Sequence, residues 1–125
     1  MIRTIASIFI TLALLISASL FELRYVNKTF TELETVLEKL QKKTELGTAT
    51  YEDGNSVRIY WDERKDKLHI WLPHTALQEM DYQLNEAVGF IYVRDFKGAL
   101  PKIEVLRGLA KTIPHSYKLE LENIF

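Results

Sequence analysis

Between Arg3 and Glu22 the chain carries no charge, and the stretch TIASIFITLALLISASLF is polar only at Thr4, Ser7, Thr11, Ser17 and Ser19. Hydroxyls of this kind bond back to the carbonyls of their own helix, so they do not spoil an apolar surface. At about 1.5 Å per residue, 18 residues of helix span about 27 Å, against a hydrocarbon core of about 30 Å. A helix that is apolar on every face has no side to show to water. Residues 1–23 are therefore expected to be a transmembrane anchor and residues 24–125 a separate domain. Two alternatives pass the same test: a buried helix of a soluble fold, and a cleaved signal peptide. Arg3 makes a short positive n-region, and Ser17-Ala18-Ser19 supplies small residues at cleavage positions. Against cleavage, no Pro or Gly interrupts the helical pattern through Glu22 and beyond.

Orientation follows from the flanks. A tail of three residues ahead of an apolar helix generally stays inside. The near flank of Glu22, Arg24, Lys28, Glu32 and Glu34 has no positive excess, while Lys39, Lys42 and Lys43 would favour the reverse if they counted. The expectation is a single-pass protein of the cell membrane with its C-terminal domain extracytoplasmic. About 100 residues remain beyond the anchor, enough for one core. Lys and Arg number 16 and Asp and Glu 17. That balance argues against nucleic acid, which asks for a concentrated basic face. Cys is absent, so neither disulfides nor thiolate chemistry arise.

Leu23, Val26, Phe30, Leu33, Leu37 and Leu40 recur at alternating spacings of three and four, a heptad seam. It serves intramolecular packing or, alternatively, a homodimer through residues 23–40. Glu38 and Lys42 form an i,i+4 pair, and Gly47 suits the residue just past the helix end. Anchor and seam together predict one rod from the membrane to about Glu45.

Residues 48–72 fit two templates. Val57, Ile59 and Trp61 alternate, as do Leu68, Ile70 and Leu72, with turn-like Asp53-Gly54-Asn55 and Asp62 to Lys67 between. That is a short β-meander. The helical template runs instead through Val57, Trp61, Leu68, Trp71 and Leu72. After Pro73, Thr75 and Gln78 suggest a capping box for a helix to about Arg94, with Leu77, Met80, Leu84, Ala87, Val88 and Ile91 inward. Asp95 is the candidate N-cap of a further helix burying Phe96, Leu100, Ile103, Leu106, Ala110 and Ile113. Pro101 either kinks it or marks its true start, and Ile113-Pro114 is expected to end it.

The run from Trp61 to Phe125 resembles an uncharacterised family of small bacterial membrane-anchored proteins, best represented in anaerobic spore-formers and known only as a domain of unknown function. The resemblance rests on the N-terminal anchor, Trp61 followed by a basic cluster, and His74 thirteen residues on. It continues in an Asp-x-x-x-Ala-Leu helix start at Asp95, Ala99 and Leu100, and in the ending Asn123-Ile124-Phe125. It implies helix throughout. Gly54, Asn55 and the β-branched alternation depart from that pattern, so helix over most of 56–72 is expected with the hairpin as alternative. It also implies an accessory role beside a multi-pass membrane protein of the YetF-like kind. The fold expected is all-α: the transmembrane helix continues into an antiparallel bundle of helices at 24–45, 56–72, 76–94 and 96–113. Leu33, Leu84 and Leu106 should be buried together.

No residue set points to chemistry. His69 and His74 are five apart, not the four of one helical face, and His115 is remote. His74 reads as a helix-start residue whose ring nitrogens satisfy free backbone groups. Ser56 and Ser116 have no nucleophile signature, and no two acids stand out. The mixed run Asp62 to Lys67 reads as a solvated face. Trp61 and Trp71 read as core, or as interfacial if the domain lies close to the bilayer. The expectation is a non-enzymatic module, without metal or cofactor, that docks on a membrane protein. The alternative is an extracytoplasmic ligand-binding or sensor domain. The candidate partner-binding residues are Leu121, Ile124 and Phe125, because apolar residues close the chain where most sequences turn polar. They either fold back on their own bundle or enter a partner's pocket.

Overall fold

One helix, α1, runs without a break from Ile2 to Glu45 in the computed structural model. The model describes residues 1–124, with all their side chains except those of Glu120, Leu121 and Ile124. The rod expected from the sequence is therefore present. It stops at a Schellman motif. Gly47 adopts φ 71°, its N–H donates to the Thr44 carbonyl, and the Thr48 N–H donates to the Lys43 carbonyl at 2.9 Å. Glycine suits this left-handed position because it has no Cβ to clash.

Helix α2 spans Tyr51–Leu68, α3 His74–Tyr92 and α4 Phe96–Ile124. They alternate in direction, joined by short turns at 46–50, 69–73 and 93–95. α1 packs on α2 and α4, and α3 packs on the same two helices from the opposite side. This is an up-down-up-down four-helix bundle. The described residues contain no strand.

Residues 51–68 settle the ambiguous region as helix, beginning five residues earlier than expected and ending four earlier. Two causes act. Thr50 and Asp53 close a capping box: the Asp53 N–H donates to Thr50 Oγ1 at 3.3 Å and the Thr50 N–H donates to Asp53 Oδ2 at 2.9 Å. Burial does the rest. Val57 and Trp61 are buried, yet Ile59 between them is 49% exposed. A strand would have put all three on one face. Gly54, which weakens a helix by about 1 kcal/mol on its own, here touches α3. A Cβ on it would lie 3.4 Å from Val88 Cγ2.

α3 buries Leu77, Met80, Leu84, Ala87, Val88 and Ile91, the face expected. Its start is a correction. Pro73 is the N-cap with no side-chain cap, so Thr75 and Gln78 form no capping box. Gln78 instead donates to the Tyr82 hydroxyl. Asp95 does cap α4, Oδ1 accepting from the Gly98 N–H at 3.0 Å. Gly98 is needed there, since a Cβ would meet Phe90 Cδ1 at 2.8 Å.

The second correction concerns the prolines. Pro101 is not the first helical residue, and Pro114 does not end α4; both lie inside it. A proline costs one i→i−4 bond and clashes with the preceding turn. The helix continues nonetheless because residues beyond Pro114 are bound to α1. Tyr117 is buried, and its hydroxyl donates to Glu22 Oε2 at 3.3 Å.

The core joins Val26, Phe30, Leu33, Leu37 and Leu40 of the seam to Trp61, Leu84, Ile103 and Leu106. Leu33, Leu84 and Leu106 are buried in it, as expected. The seam is thus covered within a single chain. Ala99 and Tyr117 are buried too; Phe96 and Leu100 are only half-buried.

Candidate anchor and docking surfaces

Every residue from Met1 to Ala18 is exposed. Among the described residues nothing covers Ile5, Ile8, Phe9, Leu12, Leu15 or Ile16. The helix is long and apolar enough to cross a membrane.

The turn between α2 and α3 lies just past the C-terminal end of this segment. Trp71 packs edge-on against Tyr25, ring centres 5.4 Å apart. Leu68 and Leu72 are buried, while Ile70 between them is 73% exposed. The turn also brings two histidines together. The rings of His69 and His74 stack with centres 5.3 Å apart. His74 does stand at the helix start, though α3 begins there and not at residue 76, and its ring stacks on His69 rather than capping the backbone. Spacing along the sequence hid this pair because the chain reverses between them. Among the described residues no three His, Asp or Glu side chains are close enough to hold a metal ion.

The run Asp62 to Lys67 is helical, and part of it is structural rather than solvated. Trp61 is buried, and its indole N–H donates to Asp81 Oδ1 at 2.7 Å. Lys65 lies 3.4 Å from Asp81 and 3.3 Å from Asp62. Burial alone would lower the Lys65 pKa, but hydrogen bonding and charge from Asp62 and Asp81 outweigh it and hold the ammonium above its usual range. A Trp N–H and a half-buried carboxylate satisfying each other fix how α2 meets α3.

Between α1 and α2 runs a groove of about 460 Å³ lined by Tyr25, Lys28, Thr29, Glu32, Glu63, Arg64 and Lys67. At its edge the Tyr60 hydroxyl donates to Glu32 Oε2 at 2.8 Å, and the Arg64 guanidinium covers the Tyr60 ring at 3.6 Å. Burial and the Glu32 carboxylate push the Tyr60 phenol up to about 12. On the opposite flank, Arg107 of α4 donates to Gln41 Oε1 at 2.6 Å. Arg107 and Lys111 share Glu34, at 3.8 and 3.4 Å. These pairs join α1 to α4.

At the far pole, Leu46, Tyr92 and Val93 are mostly exposed. Tyr51 and Tyr92 meet edge-on at 5.3 Å. Arg94 has φ 61° and is the one described non-glycine residue with positive φ. It occupies the position in the α3 end that Gly47 holds in α1: the Asp95 N–H donates to the Phe90 carbonyl and the Arg94 N–H to the Ile91 carbonyl.

Of the candidate partner residues, Leu121, Ile124 and Phe125, the side chains lie outside those described. The backbone of α4 is helical to Ile124. Leu119 is 47% exposed, and Lys118 pairs with Glu122 at 4.0 Å.

Comparison with curated proteins and with solved structures returned no match. A family described as a domain of unknown function (DUF4363) matches residues 20–124, beginning where the charge-free segment ends. With that match extending over the whole bundle, the chain belongs to this family.

Proposed function

We propose that the chain is a single-pass membrane protein whose bundle is a non-enzymatic docking module for a membrane-embedded partner. The observation that carries this is the relation of α1 to α4. Residues 2–18 of α1 are exposed and continue unbroken into the bundle. α4 returns antiparallel to the level of Glu22 at Tyr117 and then runs on to Ile124. Seven further residues of helix amount to about 10 Å. They carry α4 alongside the apolar part of α1, where Lys118, Glu120 and Glu122 would be costly in bare hydrocarbon, so this stretch is assigned to the polar surface of a membrane partner. Leu121, Ile124 and Phe125 are the residues assigned to that contact. Burying such side chains fully is worth about 1.5–3 kcal/mol each, which changes an affinity about tenfold or more. The interior favours docking over ligand capture, because Trp61, Phe30, Leu33, Leu84 and Leu106 fill it.

The bundle is assigned to the extracytoplasmic side of the cell membrane, from the short N-terminal tail carrying Arg3. The resemblance to small bacterial membrane-anchored proteins makes a YetF-like multi-pass protein the first partner to try. The test is recovery of membrane partners in mild detergent with the full chain and with a variant lacking Asn123 to Phe125. Loss of a specific membrane protein at unchanged thermal stability supports docking through the tail. Equal recovery from both overturns it. For orientation, Glu52→Cys introduces a single thiol at an exposed position. Labelling by an impermeant maleimide in intact cells places the bundle outside, and labelling only after lysis places it inside.

A further inference from the structure

We propose that the base of the bundle, the turn carrying Ile70 and Trp71, is seated in the headgroup layer of the bilayer, so that the module is held flush on the lipid surface by two elements rather than standing off on its anchor. This rests on the reading of α1 as a membrane span.

The geometry leaves little freedom. α1 has no break between the apolar segment and the bundle, so no linker sets the height of the domain. The charge-free segment ends at Phe21, itself 67% exposed. Tyr25 lies four residues further, about 6 Å along the axis. The headgroup layer on each side of the hydrocarbon core is about 5–7 Å thick. Tyr25 is therefore at headgroup level, and Trp71 is in ring contact with it. Trp and Tyr concentrate at that depth because an apolar ring and a polar N–H or O–H are both satisfied there.

The side chains fit the same environment. Ile70 is 73% exposed, close to the 77% of Leu46 at the far pole, so what singles it out is its height beside the end of the charge-free segment and not its exposure. At this height Ile70 points an apolar side chain toward lipid while Leu68 and Leu72 on either side stay in the core. The attraction is apolar and aromatic rather than ionic. Arg24, Lys28, Lys67 and Lys118 lie near this level, but Glu22, Glu63, Asp66 and Glu122 lie near it too, so seating is expected in zwitterionic vesicles without anionic lipid.

The two tryptophans give the test directly. Trp61 packs against Phe30, ring centres 6.0 Å apart, and so sits nine residues beyond Phe21, about 13 Å outside the hydrocarbon edge. The full chain, Trp61→Phe (leaving Trp71) and Trp71→Phe (leaving Trp61) are reconstituted into phosphatidylcholine vesicles whose acyl chains are brominated near the headgroup end. Flotation with the vesicles is scored first. The expected result is that Trp61→Phe loses about half or more of its fluorescence to the brominated lipid, while Trp71→Phe is unaffected. Where Trp61→Phe does not fold, Ile70→Cys carrying an environment-sensitive fluorophore replaces it, with lipid quenching expected and aqueous iodide excluded. A protein that floats while Trp71 or the residue-70 probe is quenched by iodide and not by lipid overturns this inference and leaves the anchor intact. A protein that does not float overturns the anchor reading and this one with it.

Discussion

Replacing Pro114 by alanine asks whether α4 truly runs through a proline. In a helix interior proline is about 3 kcal/mol less favourable than alanine, because it lacks the N–H and its ring clashes with the preceding turn. At residue 114 the missing donor is the one that would serve the carbonyl of Ala110, which lies on the buried face. Pro114→Ala restores that donor. It also removes two methylenes of a half-buried ring, a loss of about 0.8 kcal/mol at half of about 0.8 each. The balance is about 2 kcal/mol of stabilisation. For a domain of roughly 100 residues each kcal/mol shifts Tm by about 4–8 °C, so a rise on the order of 10 °C is expected. The assay is thermal unfolding of the full chain in mild detergent, followed by circular dichroism at the helix band. An unchanged or lowered Tm would refute the reasoning. It would mean that the helix ends at Ile113 and that Tyr117 does not reach Glu22.

Thr50→Ala should destabilise the bundle by about 1 kcal/mol through loss of the α2 cap, read as a lower Tm with helix content retained. Asp53, held below its usual carboxylate range by the Lys43 ammonium and the Thr50 N–H, contributes stability present above pH about 4 and lost as pH falls through its folded-state value. The acid branch of the Tm profile should therefore be shallower in Asp53→Asn than in the parent. Gly98→Val should lower Tm by several degrees, because its Cβ would fall on the Phe90 ring; an unchanged Tm would mean that α3 and α4 are not so close at that turn. Tyr60, pushed up to about 12 from 10.0, contributes stability that is full below pH about 10 and lost as pH rises through 12. Tyr60→Phe should remove an ionisation step near pH 12 from the ultraviolet titration of the chain.

The sequence by itself determined the parts whose signals are local and strong. Eighteen uncharged residues without Pro or Gly make the start of α1 an apolar helix. The three-four spacing from Leu23 to Leu40, and the stripe from Leu77 to Ile91, make helices whichever partner they meet. Gly47 and Asp95 end and begin helices through bonds to residues within five positions of themselves. Tertiary structure decided the rest, and in each case a local preference of a few kcal/mol or less was overruled by burial. Alternation at Val57, Ile59 and Trp61 suited a strand, yet only a helix covers Val57 and Trp61 while leaving Ile59 outside. Gly54 was a helix weakness until Val88 came against it. Pro114 was a stop until α1 supplied Glu22 and a surface for Tyr117. The stacking of His69 on His74 and the placement of Trp71 against Tyr25 depend on a chain reversal and on a contact between distant helices. Such proximity is a property of the packed bundle, and no spacing along the chain encodes it.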